Sequence, residues 1–171
     1  MDKDIEIWGE PLPGVNDFSL KSKVDVFVKG INEAMKKDDK DKDCEIDKRL
    51  GEIFQKYKKG ENVKSLMIAV AETLSPILNQ KDPSWEEGAQ IFLRGCMLAI
   101  LENKNAKGLT LAKLKKITGL GNFDYERPAI LREYFRTQSE ECRQLVDAVV
   151  NNAEKTAMNF LGLVHQRLAK L

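Results

Sequence analysis

The chain has 171 residues, 42% apolar and 32% charged, with 28 Lys plus Arg against 27 Asp plus Glu. That length and apolar content suit a single helical domain with its own core, and the near-zero net charge excludes a protein held to nucleic acid by bulk charge, leaving room for a local basic patch. Three cysteines, Cys44, Cys96 and Cys142, form an odd, sparse set without metal-ligand spacing, which suits a reducing compartment. The longest apolar stretches, around Leu66–Leu78 and Ile91–Leu101, are too short or too interrupted to span a bilayer. The acidic start, Met1–Glu6, has no signal-peptide pattern, so a cytoplasmic chain without membrane contact is expected.

Residues 1–16 carry Gly9, Pro11, Pro13 and Gly14 without an apolar period and read as an extended arm, with Ile5, Ile7 and Trp8 as its docking residues. Asp17 is placed to cap a helix to about Lys37, on which Leu20, Val24, Phe27, Val28, Ile31 and Met35 share a face. A charge run from Lys36 to Asp47 reads as a solvated loop. A second helix, about Glu45–Lys59, stops at Gly60, and a third starts at Asn62 and meets Pro76, which kinks it or ends it early. Asp82 as N-cap and Pro83 at the first helical position open a helix to about Asn103, apolar on most sides and therefore expected at the centre.

Thr110 is expected to cap a short helix, Leu111–Thr118, closed by Gly119. After a loop over 119–126, Arg127-Pro128 opens a helix to about Arg136. Thr137 with Glu140 fits a capping box, and Asn151 with Glu154 a looser one, for final helices over about 138–150 and 152–170. No alternating run of strand length is present. The expected architecture is all-α: a single-domain bundle of about seven helices over 17–171, behind the arm.

Motifs that would carry chemistry are missing. Asp39, Asp41 and Asp43 have the opening spacing of a calcium loop, but Cys44 and Leu50 stand where that loop needs Gly and Glu. His165 is the only histidine, so no multi-histidine metal site can form; beside Leu161, Val164 and Leu168 it reads as a packing residue. No phosphate-binding G-x-x-x-x-G-K-[ST] loop occurs, and no cysteine has an activating context. Glu86 and Glu87 read as surface carboxylates at a helix N-terminus. The expectation is a binding protein without cofactor, metal or catalytic residue.

Two features point to contact with a partner. Lys104, Lys107, Lys113, Lys115 and Lys116 make a basic stretch with no acid between Glu102 and Asp124, suited to phosphates or an acidic partner. Residues 109–120 read as the first helix and turn of a helix-turn-helix, which makes a free-standing DNA-binding regulator using 109–136 the alternative function. The charged loop at 36–49 is a further recognition candidate.

The second half resembles a known family. Asp82-Pro-Ser-Trp85-Glu-Glu-Gly88-Ala89 is similar to the D-P-F-W-x-x-(A/S)-A helix start of the all-alpha domain of type IV secretion coupling proteins, the TraG/TraD-like conjugation ATPases. Ala153-Glu-Lys-Thr-Ala-Met-Asn-Phe-Leu-Gly-Leu-Val-His-Gln-Arg-Leu-Ala169 is similar to that family's K-T-x-x-S-I-L-x-x-x-x-x-R-L-A run. The likeness covers residues 82–171. Ser84 departs from the aromatic of the pattern, Gly88 from its Ala or Ser, and Asn159-Phe160 from its Ser-Ile. The resemblance implies a substrate-receptor domain inserted in the motor domain of a membrane-anchored hexameric ATPase. Its implied partners are a relaxase or relaxosome accessory protein, DNA, and the parent motor domain, which would carry the nucleotide site that this chain lacks.

Overall fold

A computed structural model describes residues 13–120 and 125–171, with side chains from Ser19 onward. Eight helices account for most of them: α1 (Pro13–Met35), α2 (Glu45–Lys58), α3 (Lys64–Leu74), α4 (Ser84–Leu101), α5 (Leu111–Thr118), α6 (Arg127–Arg136), α7 (Glu140–Val150) and α8 (Glu154–Ala169). No strand occurs among the described residues, and none of their helices is long and apolar enough to cross a membrane. The chain is all-helical, as its periodicity predicts.

The helices end where backbone chemistry requires. Gly60 takes a φ of 81°, which lets Gly60 N–H reach Tyr57 O and Glu61 N–H reach Lys56 O, each at 3.0 Å. Gly119 at φ 77° closes α5 in the same way, and both are left-handed caps that L side chains resist. α3 stops at Leu74, two residues before Pro76, whose ring is incompatible with a continuing turn.

α4 is the central helix, packed on α7 most extensively and also on α3, α5 and α8. Phe92, Leu93, Cys96, Met97, Ile100 and Leu101 are buried along it, and a helix apolar on nearly every side can satisfy them only from within the bundle. Its closest approach is at Gly95, where a Cβ would lie 2.4 Å from Val146 Cγ1 of α7. The Cys142 thiol donates to Gly95 O at 3.2 Å across that contact. All eight helices contribute to one cluster of buried apolar side chains.

Several boundaries differ from the sequence reading. Of the expected arm, residues 1–12 lie outside the described residues, and the last four begin α1, which starts at Pro13 rather than after Asp17; proline is preorganised for a first helical turn. Ser139, not Thr137, caps α7 by accepting from Cys142 N–H at 3.2 Å, while the Thr137 hydroxyl donates to Tyr134 O. α8 has no side-chain cap, because its N-cap residue is Ala153; Asn151 instead donates its amide to the Asp147 carboxylate. At α4, Asp82 accepts from the Ser84 hydroxyl at 2.6 Å, and the helix begins at Ser84.

The charge run after α1 is a solvated loop, with its side chains exposed over most of 36–43, and it is anchored at Asp39 and Asp47. Asp47, 2% exposed, accepts Asp41 N–H and Leu111 N–H at 2.7 Å each. Its carboxylate thereby serves the N-terminus of α5, whose own first turn has no acid.

Candidate functional site

The five lysines of the basic stretch are divided by the fold. Lys104 and Lys107 are exposed in the α4–α5 connection. Lys113 is interior, 1% exposed, and is corrected from contact residue to structural one. Its ammonium donates to Lys37 O at 2.7 Å and lies 3.3 Å from Asp39. Each residue turns about 100° around a helix, so Lys115 lies on the opposite side from Lys113, while Lys116, three residues on, lies within about 60° of it. Lys115 is half-buried in the last turn of α5. Lys116 crosses α1, where a Cβ on Gly30 would stand 3.6 Å from its Cε.

The same contacts join the basic stretch to the loop at 36–49. Lys107 N–H donates to Met35 O at 3.1 Å, and Asn103 Nδ2 donates to Asn32 Oδ1 at 3.3 Å. Thr110 caps α5 by accepting Lys113 N–H at 3.2 Å and donates its hydroxyl to Asp39 at 2.8 Å. The two segments singled out separately in the sequence therefore form one structural unit. A groove of about 400 Å³ lies along it, between the loop, α2 and residues 107–110.

A second groove, of about 470 Å³, lies between the α2–α3 turn, α4 and α7. Val63, Met67, Leu98 and Leu145 give it apolar surface, and Tyr57, Arg94, Glu102 and Glu141 add polar groups. Burial, then the charges of Glu102 and Glu141, raise the Tyr57 phenol above its ordinary pKa. This surface carried no motif in the sequence; its residues come from four helices and meet only on folding.

α5 and α6 do not form a helix-turn-helix. Residues 119–126 separate them, where that motif needs a turn of about three or four residues. Arg127, Pro128, Ile130 and Leu131 at the start of α6 are buried, and this is the part of a recognition helix that would meet base edges.

Glu86 is not a surface carboxylate. It is 4% exposed and accepts Leu78 N–H at 2.8 Å and Asn79 N–H at 3.1 Å. Arg167 of α8 pairs with it at 2.6 Å. The Leu78 amide foremost holds its pKa below the usual carboxylate range against the opposing effect of burial, with Asn79 and Arg167 adding to the lowering. His165 is 8% exposed, with Nε2 3.0 Å from Thr118 O. A carbonyl only accepts, so Nε2 carries the proton and satisfies a carbonyl at the end of α5. Burial, followed by the nearby Arg127 charge, lowers the His165 pKa, and the Thr118 hydrogen bond opposes that shift. Burial raises the Cys96 thiol well above its ordinary value and pushes the Cys142 thiol up to about 12, away from nucleophilic chemistry. Among the described residues no group of three or more His, Cys, Asp and Glu side chains could hold a metal ion.

No protein-family model, no curated protein and no solved structure matches this chain.

Proposed function

We propose that this chain is the substrate-receptor domain of a conjugative type IV coupling protein, a cytoplasmic all-alpha domain that docks a relaxase or relaxosome accessory protein. The parent motor supplies ATP hydrolysis, and this domain contributes binding alone. The observation that carries the reading is the contact between the two segments that resemble the family. Trp85 at the start of α4 and Phe160 of α8 pack with ring centroids 4.5 Å apart, and Glu86, the next residue on α4, pairs with Arg167, about two turns beyond Phe160 on α8. Two of the three departures from the family pattern, Gly88 and Phe160, meet in the same place. A Cβ on Gly88 would lie 2.4 Å from Phe160 Cε1, so glycine for Ala or Ser makes room for phenylalanine in place of Ile. Paired departures that compensate one another support a common packing scheme.

The groove between the α2–α3 turn, α4 and α7 is the surface suited to a protein partner. It combines an apolar floor with Tyr57 and Arg94, residue types that dominate protein interfaces because they bury large area and still form directed polar contacts. The test is a pull-down from cells carrying a conjugative element, with nuclease treatment and mass-spectrometric identification. The expected result is a relaxase or accessory protein that stays bound after nuclease and is lost with Arg94→Glu. Capture of DNA alone, or of no transfer protein, would overturn the reading.

A further inference from the structure

A further groove, of about 390 Å³, lies between α1, the end of α5 and the start of α6. Val26, Phe27 and Leu120 give it apolar surface, and Lys23, Lys116 and Arg127 stand beside them. Val26 is 70% exposed, and Phe27 and Leu120 are half-buried. Apolar surface left open next to cations is stabilised by a segment that covers it.

The lining carries no carboxylate among the described residues. Glu126, at its edge, pairs with Lys23. The Arg127 guanidinium lies over the Phe27 ring, 5.2 Å from its centroid. Lys116 is exposed and makes no ion pair among the described residues. Two other acids belong to α1. Asp25 projects about 130° around the helix from the residues that line the groove, at about 100° per residue, and Glu33 lies three residues beyond Gly30, outside the lining. Three cations therefore face one edge carboxylate.

We propose that the chain's own segment Asp4–Trp8 occupies this groove. Its charge is complementary: Asp2, Asp4, Glu6 and Glu10 stand against Lys3. In an extended segment Ile5 and Ile7 share one side, which suits Val26, Phe27 and Leu120, while Asp4 and Glu6 alternate with them beside the rim cations. Reach selects this groove over the one at the loop. Ile7 and Ile5 precede Pro13 by six and eight residues, at most about 20 and 26 Å of extended chain. Ser22–Val26 lie about 14 to 20 Å along α1 from Pro13, and Met35, beside the loop groove, about 33 Å. Gly9 and Pro11 are residue types that let the chain reverse. Charge excludes the groove between the α2–α3 turn, α4 and α7, where Glu61, Glu102 and Glu141 would repel the segment. Docked on α1, the segment covers Val26 and ties α1 to α5 and α6. The contact is independent of the receptor reading, and either can fail while the other stands.

The test places a photoreactive group in the segment, Trp8→p-benzoylphenylalanine in the full chain, and maps the cross-links formed in dilute solution by mass spectrometry. Cross-links within one chain, to residues 22–30, 116–120 or 127–130, are expected. A groove variant adds Val26→Asp and Lys116→Glu, both at exposed positions. Their yield should fall by about fivefold or more, because a carboxylate set against Ile5 and Ile7 loses its hydration on docking. A control adds Leu78→Asp and Lys81→Glu, exposed positions before α4, and should keep the original yield. Circular dichroism checks that both variants remain folded. Cross-links to another surface, cross-links only between two chains, no cross-link at all, or a yield that the groove variant leaves unchanged would overturn the proposal.

Discussion

The ring of Phe160 occupies the space that a side chain on residue 88 would need: a Cβ there would stand 2.4 Å from Cε1 and 3.0 Å from Cζ. The ring cannot swing away freely, because Trp85 packs against it at a tilt of 48°. Gly88→Ala should therefore destabilise the protein by about 1–3 kcal/mol, the usual cost of overpacking, despite alanine's better helix propensity. Combined with Phe160→Ile the clash disappears and Gly88→Ala should become neutral or stabilising. A double-mutant cycle on urea midpoints reads the coupling; additive effects would mean the two positions do not share this space.

Lys113 and Lys107 belong to one sequence stretch, but only Lys113 should be sensitive to substitution. Lys113→Met leaves Lys37 O and Asp39 without their ammonium and should cost about 1–3 kcal/mol. Lys107→Gln, on an exposed side chain, should stay within about 0.5 kcal/mol of wild type. Equilibrium urea unfolding of the two variants decides it.

His165 sets one arm of the pH dependence. Its pKa is lowered in the folded chain, so the unfolded chain takes up the proton first as pH falls. The contribution is fully present above about pH 6.5, the unfolded value, and is lost as pH drops from there towards the folded value. His165→Gln retains a side-chain donor for Thr118 O and does not titrate. Its urea midpoint should vary less than wild type between about pH 7.5 and 5.5; identical slopes would refute the assignment.

Glu86 acts in a lower window. Its folded pKa is depressed, chiefly by the Leu78 amide, so its contribution is present above about pH 4.3 and disappears as pH falls through the folded value. Glu86→Gln should flatten the acid limb below that point and leave the His165 window unchanged. The same unfolding series, continued to acid, separates the two groups.

Thiol accessibility should divide the cysteines. Cys96 and Cys142 are buried, and Cys44 is partly exposed. A disulfide reagent should react quickly with one thiol per native chain, at Cys44, and with all three after denaturation. Fast reaction of a second native thiol would show that the α4–α7 contact opens readily.

Local physics made much of this fold legible in the sequence. Thr110 and Gly119 bracket α5, Gly60 ends α2, Pro76 follows the end of α3, and α4's all-round apolarity places it at the centre. Each is decided within a few residues, by a backbone angle, a missing N–H or a helical period. Tertiary structure decided what the charged side chains do, because charge is read differently according to what lies opposite. Lys113, Asp47 and Glu86 look like solvated charges in sequence and are enclosed, since partners 64 to 81 residues away, Leu111 for Asp47 and Arg167 for Glu86 among them, satisfy them there. Both grooves arose in the same way, from residues on separate elements: the one beside the loop joins two segments that the sequence marks only separately, and the one between α2, α3, α4 and α7 carries no motif at all.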